Sequence, residues 1–470
     1  MKARLLRLTG NLRESYWFLP TVMTTASLLL ALTMFYVDSH IGTTWMDRFP
    51  WLYAARPDGA RSLLSAVGGS MIGVAGTTFS VTIAAVVYAS GQYGPRLLSN
   101  FMADRGNQLT LGTFIATFVY SMVVLRTIRS PGEGGAGAAA FVPQLALIVA
   151  MLLVFASIAV LIFFIHHVPQ RIHINSVIEE VGERLLREID QRFPVFVGQP
   201  FESDAQEDEQ VPAALRDSDD VDLARQRVPV RADQTGYIQV VDEDTLLATA
   251  KRHDAIVRLQ YQPGDFAHRG SVLAEVWPAE RCDEDATRAL RGAFALGSRR
   301  TPLQDLRFLI DELVEIAARA LSPGVNDPFT ANSCLDWLAA AFSDLVQRDL
   351  PSRLRADDEG DLRVIACPQT FALLVDRGFG ALAQYAAADM IAGKRYLHAI
   401  GDVALRCSAS VRLQVLRRQV VDFRELAAGA LEGVNARTVC GRADDLLRVI
   451  DEPSFRRKLR DGSDWLGGTA

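Results

Sequence analysis

The sequence predicts a mainly α membrane protein, with four transmembrane helices followed by a cytoplasmic α+β region. Three observations carry that reading. Four uncharged apolar runs of bilayer-crossing length lie before residue 168. Short alternating segments bounded by turn residues follow between Pro229 and Trp277. Helical periodicity then returns from Glu280 onward. The expected organisation is a four-helix transmembrane domain over 1–170, a juxtamembrane helix over 171–200 and an acidic disordered linker over 201–228. A small β-barrel-like module over 229–278 and a helical cytoplasmic domain over 279–470 complete it.

The chain has 470 residues, enough for two or three domains, and 49% of them are hydrophobic, with the excess before residue 168. A net charge of −6 leaves no overall basic footprint, which argues against nucleic acid as a partner. Cys282, Cys334, Cys367, Cys407 and Cys440 are scattered singly and read as reduced, buried thiols. The basic arm from Met1 to Arg13 precedes an apolar run without a small-residue cleavage site nearby. That run is expected to be a retained helix and not a signal peptide.

The first membrane segment is Tyr16 to Val37, with an interfacial Tyr16-Trp17 pair and Pro20 in a tolerant first turn. The second starts at Arg61, and no charge interrupts it before Arg96. On a helix, Ser62, Ala66, Gly69, Ser70, Gly73, Gly76, Thr77, Ser80, Ala84 and Gly91 share a sector of roughly 120°. Leu64, Met71, Ile72, Phe79, Ile83 and Val86 lie opposite. Two accounts fit the small face. It is a seam for close helix packing of the Gly-x-x-x-Gly kind, or it lines a water path. An oligomer packed along it could do both. From Arg61 to Gln92 the helix spans about 48 Å against roughly 30 Å of hydrocarbon, so it tilts or projects.

The third segment, Leu109 to Leu125, repeats the pattern, with Thr110, Thr113, Thr117, Tyr120 and Ser121 on one face. The fourth, Phe141 to Val168, is apolar all round apart from Ser157 and is expected to face lipid. The second and third are therefore expected inside, the fourth outside and the first between. Lysine and arginine counts in the short loops are nearly balanced. The long polar C-terminal region decides for both termini in the cytoplasm of a bacterial inner-membrane protein.

His166, His167 and His173 invite a metal reading, but the neighbouring pair diverges on a helix and Pro169 is expected to break the register. An interfacial junction is the preferred account. Val177, Ile178, Val181, Leu185, Leu186 and Ile189 form one stripe of an amphipathic helix from Ile174 to Phe193. The acidic stretch around Glu202 to Asp222 lacks the apolar residues needed to order itself.

In the β region, Pro263-Gly264-Asp265 is a turn. The phrase from Pro263 to Leu273 is similar to half of a biotinyl or lipoyl domain motif over about a dozen residues, with Lys251 the sole lysine on offer. Its setting lacks the flanking pattern, so no swinging cofactor is expected. Beyond it, Asp305 to Leu321 has a helical period and ends at Ser322-Pro-Gly-Val-Asn-Asp-Pro328. Asn326 and Asp327 there are either part of a rigid turn or of a cytoplasmic interface; two oxygens fall far short of a hard-cation site. Leu362 to Ala366 reads as a single strand.

Several segments together resemble an uncharacterised bacterial family of predicted membrane proteins, domain of unknown function 2254. They are Gln92-Tyr-Gly-Pro-Arg-Leu-Leu98, Asp104-Arg-Gly-Asn107, the Pro263-Gly-Asp-Phe266 turn and Ala320-Leu-Ser-Pro-Gly-Val-Asn-Asp-Pro328. The resemblance implies a four-helix membrane part with a cytoplasmic tail, and no catalytic residues.

No phosphate loop, nucleophile elbow, zinc motif or dinucleotide fingerprint is present, so no enzyme, cofactor or metal is expected. The leading expectation is a homo-oligomer in the lipid bilayer, with a pore for ions lined by Gly69, Ser70, Gly73, Gly76, Thr77, Ser80, Ala84, Thr113, Thr117 and Ser121. The alternative is a membrane-anchored regulator or scaffold acting through its cytoplasmic domain. Coupled transport is disfavoured, because the four hydrocarbon spans hold no central charge.

Overall fold

A computed structural model describes residues 16–41, 56–94, 104–131, 133, 140–193, 211–216, 221–367 and 369–460. The chain divides into two compact units, 10–176 and 177–470, and each is taken by itself.

The first unit is built on α1 (Phe18–Ile41), α2 (Pro57–Tyr93), α3 (Arg105–Thr127) and α4 (Gln144–Ile172). All four are long and apolar enough to cross a membrane. Their ends follow local chemistry. Helix α2 begins four residues ahead of Arg61 because Pro57 suits a first helical position and Asp58 complements the helix dipole. Helix α3 begins where the Asp104 carboxylate accepts the amides of Gly106 and Asn107. Helix α4 runs through Pro169 to Ile172, where a break was expected. The proline has no N–H to donate to the Ile165 carbonyl, so one hydrogen bond is forgone without ending the helix.

Helix α3 is the centre of the bundle and packs against α1, α2 and α4. Its hydroxyl face is spent on those neighbours: Thr117 Oγ1 lies 2.9 Å from Ser157 Oγ of α4, and Tyr120 donates to the carbonyl of Ala146 at 3.1 Å. From α1, Ser27 Oγ donates to the Ala116 carbonyl at 2.6 Å. The first turn of α4 has no cap of its own, since Pro143 precedes it. Asp38 of α1 supplies one, accepting the amides of Leu145 and Ala146 at 3.1 and 2.9 Å. Leu152, Phe155, Ile158, Ile162 and Ile165 of α4 point outward, the surface a helix offers to hydrocarbon.

The second unit opens with α5 (Ile174–Arg192), which buries Val177, Ile178, Val181, Leu185 and Ile189. Gly182 lies against the indole of Trp337, leaving no room for a Cβ. Strands β1 (Val228–Arg231), β5 (Val272–Trp277), β3 (Ile256–Leu259), β8 (Leu362–Ile365) and β7 (Leu354–Ala356) form one mixed sheet in that order. Strands β4 (Phe266–Ala267), β2 (Gly236–Val241) and β6 (Phe294–Gly297) form a second. Short helices α6 (Glu243–Arg252) and α7 (Glu284–Gly292) pack on them.

The expected barrel-like module is therefore not a closed barrel among the described residues. Its strands do not end at residue 278. Strand β3 pairs in parallel with β8, about a hundred residues later in the chain, and β2 pairs with β6. Strands β3 and β2 thus each spend one side on a strand from outside the expected module. The linker differs too. Residues 201–210 and 217–220, its most acidic parts, lie outside the described residues. Between them Val211, Ala214 and Leu215 are buried, with Val211 and Leu215 packed against Ile365, because apolar side chains there find an apolar sheet. Arg258 donates to the Leu215 carbonyl at 2.7 Å and fixes the segment.

The helical part comprises α8 (Leu306–Ala320), α9 (Pro328–Leu345), α10 (Phe371–Val375), α11 (Ala381–Ala386), α12 (Met390–Arg406), α13 (Ser410–Ala430), α14 (Gly433–Asp451) and α15 (Pro453–Arg460). A wide π turn, Asp376–Gly380, joins α10 to α11. Its Phe379 sits between Phe342 and Tyr396, and Tyr396 stacks on Phe423 at 4.2 Å, forming an aromatic spine.

Candidate functional site

The small face of α2 points away from the bundle. Ser62, Ala66, Gly69, Ser70, Gly73, Gly76, Thr77, Ser80 and Ala84 are all exposed. Nothing lies within 4 Å of where a Cβ would stand at Gly69, Gly73 or Gly76. Gly68, one residue off this face, is the glycine that packs inward, against Met122 of α3. The sequence reading placed α2 and α3 inside together; in the single chain only α3 is enclosed. Thr113, Thr117 and Ser121 are buried in the bundle, so the two sets of hydroxyl residues do not share one surface. Thr77 and Ser80 donate back to the carbonyls of Gly73 and Gly76 at 3.1 and 2.9 Å. Their hydroxyls therefore carry no unmet demand into lipid or into a helix contact.

At the other end of α3 the structure explains a motif. Asp104 pairs with His167 of α4 at 2.8 Å, and Gly106 is bare because the His167 ring occupies the space a Cβ would need. Asn107 is buried beside them. His166 instead meets Gln170, and His173 is exposed, so the three histidines are not brought together. Reading the histidines alone missed Asp104, whose signal was the Asp104-Arg-Gly-Asn107 segment itself.

The Pro263-Gly264-Asp265 turn is held by charge. Arg307 of α8 donates to the Pro263 carbonyl at 2.7 Å and to Asp265 at 2.9 Å, and also reaches Asp305. Gly264 has φ +92° and abuts the Asp305 carboxylate, so both backbone and space demand glycine. Arg300 bridges Asp305 and Asp311, and Arg377 closes the network on Asp311 at 2.5 and 2.7 Å. Burial alone would raise the Asp311 carboxyl, but the Arg377 and Arg300 hydrogen bonds outweigh it and hold it below the usual carboxylate range.

Asn326 takes the left-handed φ of +50° and is exposed, while Asp327 caps α9 by accepting the amides of Phe329 and Thr330 and the Thr330 hydroxyl. Asp327 is thus a helix cap, and the loop presents Val325 and Phe329 to solvent. In the β7–β8 hairpin Asp357, Glu359 and Asp361 converge. Cations of the protein already serve them: Arg363 bonds Asp357 and Asp361 at 2.7 and 3.0 Å, and Lys251 lies 3.2 Å from Glu359. Lys251, weighed above as a lysine for modification, is a salt-bridge partner.

A cleft of about 750 Å³ opens within the second unit, between the end of α5, strand β2, α6, the Gln262 turn and the β7–β8 hairpin. Its floor includes Leu246 and Val364, and Arg192, Arg353 and Arg355 stand among its polar walls. Cys367 borders it, but burial, with Asp265 adding to it, pushes its thiol up to about 11, which leaves it protonated at neutral pH.

Comparison with known proteins gives the chain its relatives. Uncharacterized proteins of Mycobacterium bovis and Mycobacterium tuberculosis are 31% identical to it over 450 residues, covering 94% of this chain and 82% of theirs. No solved structure matches. The family described as predicted membrane protein (DUF2254) matches residues 13–402, the stretch that holds the Asp104–His167 contact, the Gly264 turn and the Asp327 cap. The chain belongs to that family of predicted membrane proteins.

Proposed function

We propose that the protein works as a homo-oligomer in the bacterial inner membrane, both termini cytoplasmic, with copies meeting along the small face of α2 and enclosing a path for ions there. The observation that carries this is the outward exposure of that face from Ser62 to Ala84. Lipid tails pack poorly against a row of glycines, serines and alanines, whereas a second helix can approach its backbone closely and gain dispersion contacts. The hydroxyls of α3 are consumed in the bundle, so a water path would be lined by α2 residues such as Thr77 and Ser80, without Thr113, Thr117 or Ser121. The reading involves no catalytic step. A second reading, a membrane-anchored regulator, is favoured by the cleft in the other unit.

The test uses cysteines at Thr77 and Ser80, with Phe79, which packs against Tyr16 and Trp17, as control. In reconstituted protein a small water-soluble thiol reagent should modify positions 77 and 80 and change ion flux, and should spare 79. Equal inertness at all three, in a preparation that still assembles, would leave a packing seam without a pore. A monodisperse monomer in detergent and in bilayers would remove the oligomer as well.

A further inference from the structure

We infer that the end of the bundle where α3 begins binds one alkali-metal cation between Asp104 and Asn107, with the Tyr16 hydroxyl beside it. The inference stands apart from the assembly reading, since all of these residues belong to the bundle of a single copy.

The observation that points to a ligand is a carbonyl oxygen. Asn107 is 4% exposed, and its Oδ1 is shut off from solvent with no hydrogen-bond donor among the described residues. Buried polar atoms of native proteins are nearly always satisfied, so an acceptor that the chain leaves unanswered calls for a donor or a cation. Asn107 stands one turn after Asp104 on the same side of α3, and its own amide reaches Asp104 Oδ2 at 3.4 Å. The carboxylate is itself nearly closed in, at 11% side-chain exposure. Among the described residues its Oδ1 accepts only the Gly106 amide, at 3.3 Å, which leaves a lone-pair direction open.

The surroundings select the charge. Tyr16, buried at the start of α1, is hydrogen-bonded to Thr82 of α2 and lies within electrostatic reach of Asp104. Thr82 gives its own proton to the Thr78 carbonyl at 2.9 Å, so it accepts from Tyr16, and the lone pairs of the phenol oxygen stay available. Tyr16 packs in one buried cluster with Leu111, a turn beyond Asn107, which brings the phenol alongside this stretch of α3. His167 is the one basic side chain against Asp104 among the described residues, at 2.8 Å, a bond that a neutral imidazole makes as well. Arg105, next along the chain, is exposed. The set is thus one carboxylate with neutral oxygens, all of them acceptors. Hard cations prefer such oxygens, and a single negative charge matches a monovalent ion, whereas calcium sites gather several carboxylates.

The experiment follows thermal unfolding of the full chain in detergent, in sodium, potassium or lithium chloride against choline chloride at the same ionic strength. At least one alkali ion should raise the melting temperature by a few degrees, saturating with concentration. Asn107→Leu should weaken the apparent affinity by about tenfold or more. Asn107→Asp adds a carboxylate at the same size and should strengthen it. Each variant is compared with itself in choline, so a general loss of stability leaves the readout intact. A monomeric preparation that shows the shift would support this site while removing the oligomer. Equal melting in all four salts overturns the inference. So does an alkali-ion shift that Asn107→Leu leaves unchanged, or one that Asn107→Asp fails to strengthen.

Discussion

Asp311 receives hydrogen bonds from Arg300 and Arg377 while only its edge meets water. Such a carboxylate is more than decoration, because removing it takes the carboxylate partner from Arg377 and leaves Arg300 with Asp305 alone. Asp311→Asn should cost about 3 kcal/mol at neutral pH, the scale for breaking a buried pair from one side. The pH dependence has a definite sign. A carboxyl whose folded pKa is depressed contributes stability above its unfolded value near 3.9, and that contribution is lost as pH falls through the folded pKa. The difference in melting temperature between wild type and Asp311→Asn should therefore be widest above about pH 5 and narrow below pH 4. A gap that stays constant with pH would mean that shape and not charge holds the network. Asp265 and Gly264 belong to the same circuit, which gives the Pro263-Gly-Asp265 turn a structural reason for its residues.

Between helices, the division of labour is by side-chain size. Helix α3 spends its hydroxyls on fixed partners, and α2 keeps its small face open. Two substitutions should separate these roles. Thr117→Val removes the contact to Ser157 and should lower the stability of the bundle by about 1 kcal/mol without altering oligomer size. Gly73→Leu leaves the single-chain bundle intact, since nothing stands within 4 Å, and should shift the oligomer toward smaller species by native mass measurement. An unchanged oligomer in Gly73→Leu would place the contact elsewhere. The four helices were legible from sequence because a long uncharged run leaves the backbone no other way to satisfy itself in lipid. Their ends were not, where Pro57 and Asp104 extend α2 and α3 by local capping chemistry. Which way α2 turns its small face was also hidden, since periodicity defines a face and says nothing of its neighbour. The sheet was the least legible element. Strand β8 was readable alone, but its pairing with β3 joins segments that no local pattern links.

For the whole molecule, the proposed orientation rests on the bulk of the polar second unit, which it places inside the cell. All five cysteines lie between residues 282 and 440, so the wild-type chain is its own reporter. In intact cells a membrane-impermeant thiol reagent should leave the native protein unlabelled, and should label a variant carrying a cysteine at Gly134. After permeabilisation it should reach Cys282, Cys367 or Cys440, which are partly exposed. Labelling of the native chain in intact cells would reverse the topology and with it the cytoplasmic setting of the cleft.

The Asp38 cap on α4 also sets a timetable. The carboxylate is made 107 residues before the Leu145 amide it will accept, a gap of roughly 5–20 s at ordinary rates of synthesis. During that wait it has no helix end to serve, and a carboxylate without a partner is held at water, not in hydrocarbon. The end of α1 is thereby anchored at one edge of the membrane while α2 and α3 are still being threaded. When α4 arrives its first turn is already provided for by the first helix, while most of its length packs on α3.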